Sequence, residues 1–402
     1  MPPMRILFLL TQDLESPSGL GRYWPLASGL VKLGHRVSIA ALHANFHALA
    51  QKRLTQNGVD VQYVAPMHVL KTGNEKRYYS PVKLTQIVAQ ATLALTRAAW
   101  RTPADLIHIA KPHPMNSVAG LLARLRGRHV LLDCDDYEAG SGHFKGAWQQ
   151  WGVAFFERTV PRLVQGVTTN TGFMHEKLQT WGVLPARLYH LPNGVDSARF
   201  VPDPARVAAL RAQWDLTGKQ VVAFIGTMGL VSHPVNLLVD AFANLVQTHP
   251  DAILLLVGGG EDIPQIQGQA EQLGIAARLR FVGRVPPSDV VNYYALADVS
   301  VDPVYDNEAA RGRSPLKMFE SWACGVPFIT ADVGERRRSM GDPPAGGLVR
   351  PGDVSALTDA IRQGLADGER WRALGHARVK AFEWDQLTRE VAGFYQRVME
   401  GL

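Results

Sequence analysis

The sequence predicts an α/β protein of two doubly wound, Rossmann-like domains in tandem, facing a cleft. Three observations predict it. Near-continuous apolar runs alternate with helical stretches, the pattern of a parallel sheet covered by helices on both faces. The alternation restarts after residue 200. The stretch between, LPNGVDSARFVPDP at 191–204, is rich in Pro, Gly and Asn and reads as a connection. A length of 402 residues accommodates two such cores at roughly 150 residues per domain.

In the first half, Arg5–Thr11 (RILFLLT) is a strand and Gln12–Gly21 carries turn chemistry. A helix then runs to about Leu33 and stops at Gly34, and Arg36–Ala41 is the next strand. Val59–Val64, Leu106–Ala110 and Val130–Asp133 are further strands. In the second half the strands are Val221–Gly226, Ile253–Gly260, Leu279–Val282, Val299–Val301 and Pro327–Thr330, with helices over 235–247, 289–297, 315–324 and 353–365. At the end, Trp384, Leu387, Val391, Tyr395 and Val398 fall at helical spacing, with Asp385 as a candidate cap. The expected domains are therefore 1–195 and 196–380, with a helix at 381–402 able to cross back to the first. Ligands of such sheets bind at the carboxyl ends of the strands.

Hydrophobic residues make up 46% and charged residues 19%, which excludes general disorder. The net charge of +6 suits anionic ligands, an anionic lipid surface or nucleic acid, and does not choose among them. Cys134 and Cys324, the two cysteines, exclude a disulfide framework and a multi-thiolate zinc site. No apolar run reaches the roughly 18 residues of a spanning helix. Ile6–Leu10 is too short for a secretory core and is soon followed by Asp13 and Glu15. The expectation is a cytoplasmic protein, with peripheral contact to the inner membrane face and no nucleic-acid partner.

The segment richest in chemistry is Arg311–Thr330, RGRSPLKMFESWACGVPFIT. Ser314 suits a helix N-cap, Pro315 the first helical position, and Gly325 with Pro327 the stop. Lys317 and Glu320 share a face, about 4.5 Å apart along the axis. A helix N-terminus binds anions through free N–H groups and its dipole, and Lys317 with Arg313 adds positive charge beside a pyrophosphate. Glu320, a turn deeper, is placed to accept hydrogen bonds from ribose hydroxyls. On spacing alone the alternative is an ordinary surface ion pair.

This segment resembles the signature of glycosyltransferase family 4, retaining enzymes of the GT-B fold. The matching positions are Pro315, Lys317, Glu320, Ala323, Gly325 and Pro327. SGLGRYWPLASGLVKLGHRVSIA at 18–40, LPNGVD at 191–196 and FVGRVPPSDVVNYYALADVSVDP at 281–303 are similar to other parts of the family pattern. The resemblance implies that Glu320 holds the ribose. It implies that Ser314, Pro315, Leu316 and Lys317 hold the pyrophosphate, with Lys317 also acting in catalysis. Gly19 and Gly21 match the loop that approaches the donor phosphates, and Gly226 and Thr227 open the loop after the first strand of the second domain. The sequence departs from the pattern at Gly312, where many relatives carry a sugar-contacting glutamate, with Glu308 nearby. It departs again in GTMGLVSHPVN, where Thr227 and His233 stand near an expected Arg and Lys. Arg311, Arg313 and His233 are candidates for the missing charge.

On the acceptor side, LLDCDDYEAG places Asp133, Asp135 and Asp136 near a turn after a strand. Asp135 or Asp136 is the candidate to orient or deprotonate an acceptor hydroxyl or to stabilise a cationic sugar carbon. The alternative is turn and capping chemistry. His108, Lys111 and His113 rank below them. Gly258–Gly260 reads as a strand-end turn, and Arg124, Arg126, Arg128 and Arg336–Arg338 as basic surface runs. No metal site is expected.

The implied function is sugar transfer from a UDP-, GDP- or dTDP-sugar to a hydroxyl of a sugar, lipid-linked or small-molecule acceptor. A nucleotide-sugar epimerase and a non-catalytic nucleotide-sugar-binding protein are the alternatives. A dinucleotide dehydrogenase fails because the third glycine of its fingerprint, after Gly19 and Gly21, is Trp24.

Overall fold

The computed structural model describes residues 2–72, 75–140 and 146–401. The chain divides into two compact units. Unit 1 holds Met1–Gly194, Gly312–Ser314 and Trp384–Leu402; unit 2 holds Val195–Arg311 and Pro315–Glu383.

Strands of unit 1 are β1 (Arg5–Leu10), β2 (Arg36–His43), β3 (Arg53–Gln56), β4 (Val59–Pro66), β5 (Val69–Thr72), β6 (Glu75–Tyr78), β7 (Leu106–Ala110), β8 (His129–Cys134), β9 (Gly166–Thr169) and β10 (Leu188–His190). Its helices are α1 (Trp24–Lys32), α2 (Pro81–Arg101), α3 (Pro114–Arg124), α4 (Ala147–Leu163) and α5 (Gly172–Thr180). The sheet order is β10-β9-β8-β7-β1-β2-β4-β3, parallel except for β3, with β5 and β6 forming a separate antiparallel ribbon. Arg5–Leu10 pairs residue by residue with Arg36–Ala41 on one side, and Ile6–Leu10 with Leu106–Ala110 on the other. The central strands read as unbroken apolar runs because helices cover both faces.

Unit 2 repeats the plan with β11 (Val221–Ile225), β12 (Ile253–Val257), β13 (Leu279–Gly283), β14 (Val299–Asp302), β15 (Phe328–Ala331) and β16 (Gly347–Val349). Its helices are α6 (Pro204–Gln213), α7 (Val235–Leu245), α8 (Ile263–Gln272), α9 (Val290–Tyr294), α10 (Glu308–Arg311), α11 (Leu316–Ala323), α12 (Glu335–Met340), α13 (Val354–Ala366) and α14 (Gly368–Val379). The all-parallel order is β13-β12-β11-β14-β15-β16. Strand order reverses between β1 and β7 in unit 1 and between β11 and β14 in unit 2, and ligands of doubly wound sheets bind at such switch points.

The last helix, α15 (Trp384–Glu400), completes the unit 1 core. Trp384, Leu387, Val391, Phe394, Tyr395 and Val398 pack with Ile6, Phe8, Leu26 and Leu30. Asp385 lies inside its first turn and binds Lys32 Nζ at 3.1 Å instead of capping the helix. Among the described residues no helix is long and apolar enough to cross a membrane. The expected glycine loop after β1 is partly helical: Gly19–Tyr23 forms one wide turn that runs into α1.

Candidate functional site

At the switch point of unit 2, Asp302 ends β14 with its side chain 1% exposed. Lys317 Nζ donates to its Oδ1 at 2.8 Å, and Arg336 Nη2 to its Oδ2 at 3.1 Å. Burial opposes ionisation of Asp302, but Lys317 and Arg336 outweigh it and hold the carboxyl well below the usual carboxylate range. Arg336 also donates to the Thr330 hydroxyl and the Ala310 carbonyl, so its guanidinium is fixed on three sides. Its placement corrects the sequence reading: Arg337 and Arg338 are surface residues, whereas Arg336 is buried.

Lys317 reaches this position along the end of β11. Its Nζ sits 4.3 Å from the Phe224 ring centroid and 3.3 Å from His233 Nδ1. A Cβ at Gly226 would fall 2.5 Å from Lys317 Cε and 3.0 Å from its Nζ, so a side chain there would push the end of the lysine aside. Thr227 follows on the exposed loop. The glycines of Gly258–Gly260 serve packing, since Cβ atoms at Gly258 and Gly260 would strike the carbonyls of Gly226 and Met228 at 1.9 and 1.8 Å.

Glu320 lies one turn along α11 and does not pair with Lys317; Tyr294 Oη donates to its Oε2 at 3.0 Å. Burial pushes its carboxyl above the ordinary value. The surface-pair alternative is thereby set aside. The helix starts one residue later than expected: Pro315 is the N-cap, no side chain caps the first turn, and the buried Ser314 hydroxyl lacks a hydrogen-bond partner. The first-turn amides therefore have no side-chain cap. Ser314 offers its carbonyl to Asn193 Nδ2 at 3.1 Å. Arg313 is partly exposed beside it. Arg311 is exposed and held by Asp306 at 2.6 and 2.9 Å, which commits its charge locally. Gly312 is buried, and Glu308, on α10, is exposed.

At the switch point of unit 1 the charges invert. Lys111, just past β7, is buried with its Nζ 3.1 Å from Asp135, 2.8 Å from Asp136 and 2.5 Å from Glu138. Burial alone would lower its pKa, and the three carboxylates instead raise it well above the ordinary value. Its backbone is left-handed at φ 64°, sparsely populated for a residue with a Cβ. His113 links the cluster to β1: its Nδ1 lies 2.7 Å from Thr11 Oγ1 and its Nε2 3.5 Å from Glu138. Burial, reinforced by Asp136 and Asp133, pushes Asp135 up to about 7 against the pull of Lys111. For Glu138 the order reverses: Lys111 and His113 overcome burial and lower it. Asp136, a third exposed, is the carboxylate best open to an incoming group. The three acids bring ligand atoms within 4.8 Å of one another, and the Lys111 ammonium occupies their centre.

Asp133 is structural. Arg22 grips it with Nε and Nη2, both at 2.7 Å, and Tyr23 and Thr168 donate to it. Burial resists, yet Arg22 holds Asp133 down at about 2. Arg22 also donates to Asn193 Oδ1 at 2.9 Å, tying the LPNGVD segment to this anchor. His108 is a core histidine: it stacks on Phe8, sits 2.5 Å from Tyr395 Oη, and burial lowers it to about 4. At Gly19 the close approach is to its own loop, since a Cβ would fall 2.2 Å from the Asp13 carbonyl. The Gly21 carbonyl accepts from Trp384 Nε1 at 3.2 Å. Asp302, Glu138 and Tyr294 were not singled out by sequence, and Arg336 was read there as surface; the Asp that closes VSVD was the available signal.

Solved structures share this architecture over nearly the whole chain. A sucrose-phosphate synthase from Thermosynechococcus elongatus has a TM-score of 0.76 at 20% identity, covering 99% of this chain and 100% of that one. Anabaena HepE, solved with UDP and glucose, has a TM-score of 0.73 at 19% identity, covering 98% and 99%. The fold is that of the GT-B glycosyltransferases. The family models "Glycosyl transferase 4-like domain" and "Glycosyl transferases group 1" match residues 18–194 and 219–367. The chain belongs to glycosyltransferase family 4. It is 33% identical over 268 residues to a GDP-mannose-dependent alpha-(1-6)-phosphatidylinositol monomannoside mannosyltransferase of Mycolicibacterium smegmatis, covering 65% of this chain and 67% of the relative. It is 31% identical over 316 residues to a D-inositol 3-phosphate glycosyltransferase of Nocardia farcinica, covering 76% and 63%. With other curated relatives the match spans little more than half of the relative's length, 56% and 53% for two of them.

Proposed function

We propose that the protein is a retaining glycosyltransferase that moves a sugar from a nucleoside-diphosphate sugar to a hydroxyl of a lipid-linked acceptor. The observation that carries the donor half is the pair of cations at the end of β14: Asp302 holds Lys317 Nζ at 2.8 Å and Arg336 Nη2 at 3.1 Å. Lys317, Arg313 and the first-turn amides at Ser314–Leu316 take the diphosphate, with Gly226 and Thr227 alongside. Glu320 accepts hydrogen bonds from the ribose. Fixed cations and dipoles stabilise the departing diphosphate without reorganising during the reaction.

In the transfer, the bond from the anomeric carbon to the diphosphate oxygen breaks as the acceptor oxygen bonds to that carbon on the same face. The acceptor's proton passes to the departing diphosphate, and nucleoside diphosphate is released. On the acceptor side Asp136 orients the hydroxyl, and Asp135 with Lys111 sets the local charge. No bound metal enters this reading, because Lys317 and Arg313 supply charge at the phosphates and Lys111 fills the acid cluster; EDTA is expected to leave turnover unchanged. The relatives' names favour GDP-mannose and an inositol-bearing acceptor as the first pair to try.

The test is nucleoside diphosphate release from a panel of UDP-, GDP- and dTDP-sugars, with and without acceptor. Acceptor-dependent release supports transfer, whereas conversion of the donor alone, seen by proton NMR, would establish the epimerase instead. Glu320→Ala is expected to weaken nucleotide binding by about 1–2 kcal/mol and to erase discrimination against 2′-deoxy nucleotides. Unchanged affinity would remove the ribose role. Asp136→Asn should lower kcat with little change in donor affinity.

A further inference from the structure

Outward helix faces are normally polar, and α4 departs from that pattern. Trp148, Trp151, Phe155, Arg158 and Arg162 lie on one arc of about 80° at 100° per residue. Trp148 is 54%, Trp151 72% and Phe155 49% exposed, and both arginines are exposed. Trp151 stacks on Phe155 with ring centroids 5.9 Å apart. The other face buries Val153, Val160 and Glu157, the one acid of this helix. Beside the stripe opens a cavity of about 370 Å³ lined by Tyr137, Gln150, Trp151, Glu157, Arg158 and Trp181. Tyr137 stands between Asp136 and Glu138 in the chain, so the loop assigned above to the acceptor contributes a wall of this cavity.

We propose that this stripe seats unit 1 on an anionic lipid bilayer, with the three rings in the headgroup boundary and the two guanidinium groups on lipid phosphates. The acceptor's lipid portion then runs along the cavity and its headgroup meets Asp136. The inference rests on the reading of that loop as the acceptor side. Charge selects the occupant. A second copy docked face to face would bring four arginines together in a desolvated contact. A bilayer of anionic lipid complements them and accepts indole rings at its interface. Trp148, Trp151 and Phe155 together offer the apolar area that such insertion needs, on a chain already carrying +6.

The experiment is co-sedimentation of the full chain with vesicles of phosphatidylcholine mixed with phosphatidylglycerol, and with phosphatidylcholine alone. Binding to the mixed vesicles, weakening as salt rises, is expected. Arg158→Gln/Arg162→Gln should lower partitioning about thirtyfold, at about 1 kcal/mol per basic residue. Trp148→Gln/Phe155→Gln should lower it about tenfold or more while leaving thermal unfolding unchanged, since both side chains are exposed. Three results overturn the proposal: wild-type protein left in the supernatant, both double variants sedimenting like wild type, or a single-stranded oligonucleotide binding through the stripe while vesicles do not. Calorimetry of nucleoside diphosphate on Trp148→Gln/Phe155→Gln separates the two readings. Lost vesicle binding with intact diphosphate binding confirms the stripe without touching the donor assignment. Intact vesicle binding by a wild-type chain that binds no diphosphate or donor would sink the transferase reading alone.

Discussion

At the end of β14 one carboxylate, Asp302, serves two cations; just past β7 one cation, Lys111, serves three carboxylates. Both clusters occupy the place where strand order reverses, in sheets of the same construction. The sheet plan is shared, and the two clusters differ in which groups surround the central one: bases around Asp302, acids around Lys111. A cationic pole suits a diphosphate. An acidic pole suits a hydroxyl that must be oriented and a sugar carbon that becomes cationic. Isolated buried charges are costly, so the minority partner in each cluster is what allows the majority to stay ionised indoors.

The sharpest way to break this comparison is to remove a minority partner. Asp302→Ala leaves Lys317 and Arg336 without their shared anchor, and a loss of about 3–5 kcal/mol is expected in urea unfolding. An unchanged midpoint would mean that Asp302 is not the anchor. Lys111→Met is the mirror experiment, with a loss of about 3 kcal/mol at neutral pH. Without the ammonium the acids bind protons more tightly in the folded chain than in the unfolded one. Stability should then fall as pH rises from about 5 to about 8, and the deficit should shrink toward acid pH. A deficit independent of pH would dissolve the charge argument.

Removing a majority member tests the ligand instead. Lys317→Met should weaken nucleoside diphosphate binding about a hundredfold, or roughly 3 kcal/mol, with a much smaller effect on the nucleoside. The smallest effect belongs to Glu157, which accepts the amides of Glu138 and Ala139 at 2.8 and 3.1 Å. Burial raises it to about 8. A carboxyl raised on folding costs stability progressively as pH climbs from its ordinary value toward 8. Glu157→Gln should therefore flatten the stability–pH profile over that window without changing the acid limb.

Much of the fold was legible in sequence because the central strands are continuous apolar runs, such as RILFLL and VVAFI, that only a doubly covered sheet explains. The short strands β9, β10 and β16 were not, since three or four residues such as GVTT or LYH are too short to show a period. The signature helix could be read from Pro315, Lys317 and Glu320, which lie close together in the chain. Their partners could not: Lys317 meets Asp302 across 15 residues and Arg336 meets it across 34. Arg336 looked like surface because it sits in a run of three arginines, and burial acts on one of them. Among Asp133, Asp135 and Asp136, the sequence could not say that Arg22, 111 residues away, would claim the first.

The placement of α15 bears on how the protein is made. Its apolar face fills the core of the unit whose sheet is finished before Gly194, so that unit lacks its own last layer until Trp384–Val398 has left the ribosome. Unit 2 is complete by Glu383 and can close first, even though it begins later in the message. A fragment ending near residue 380 should thus misfold in its amino-terminal half.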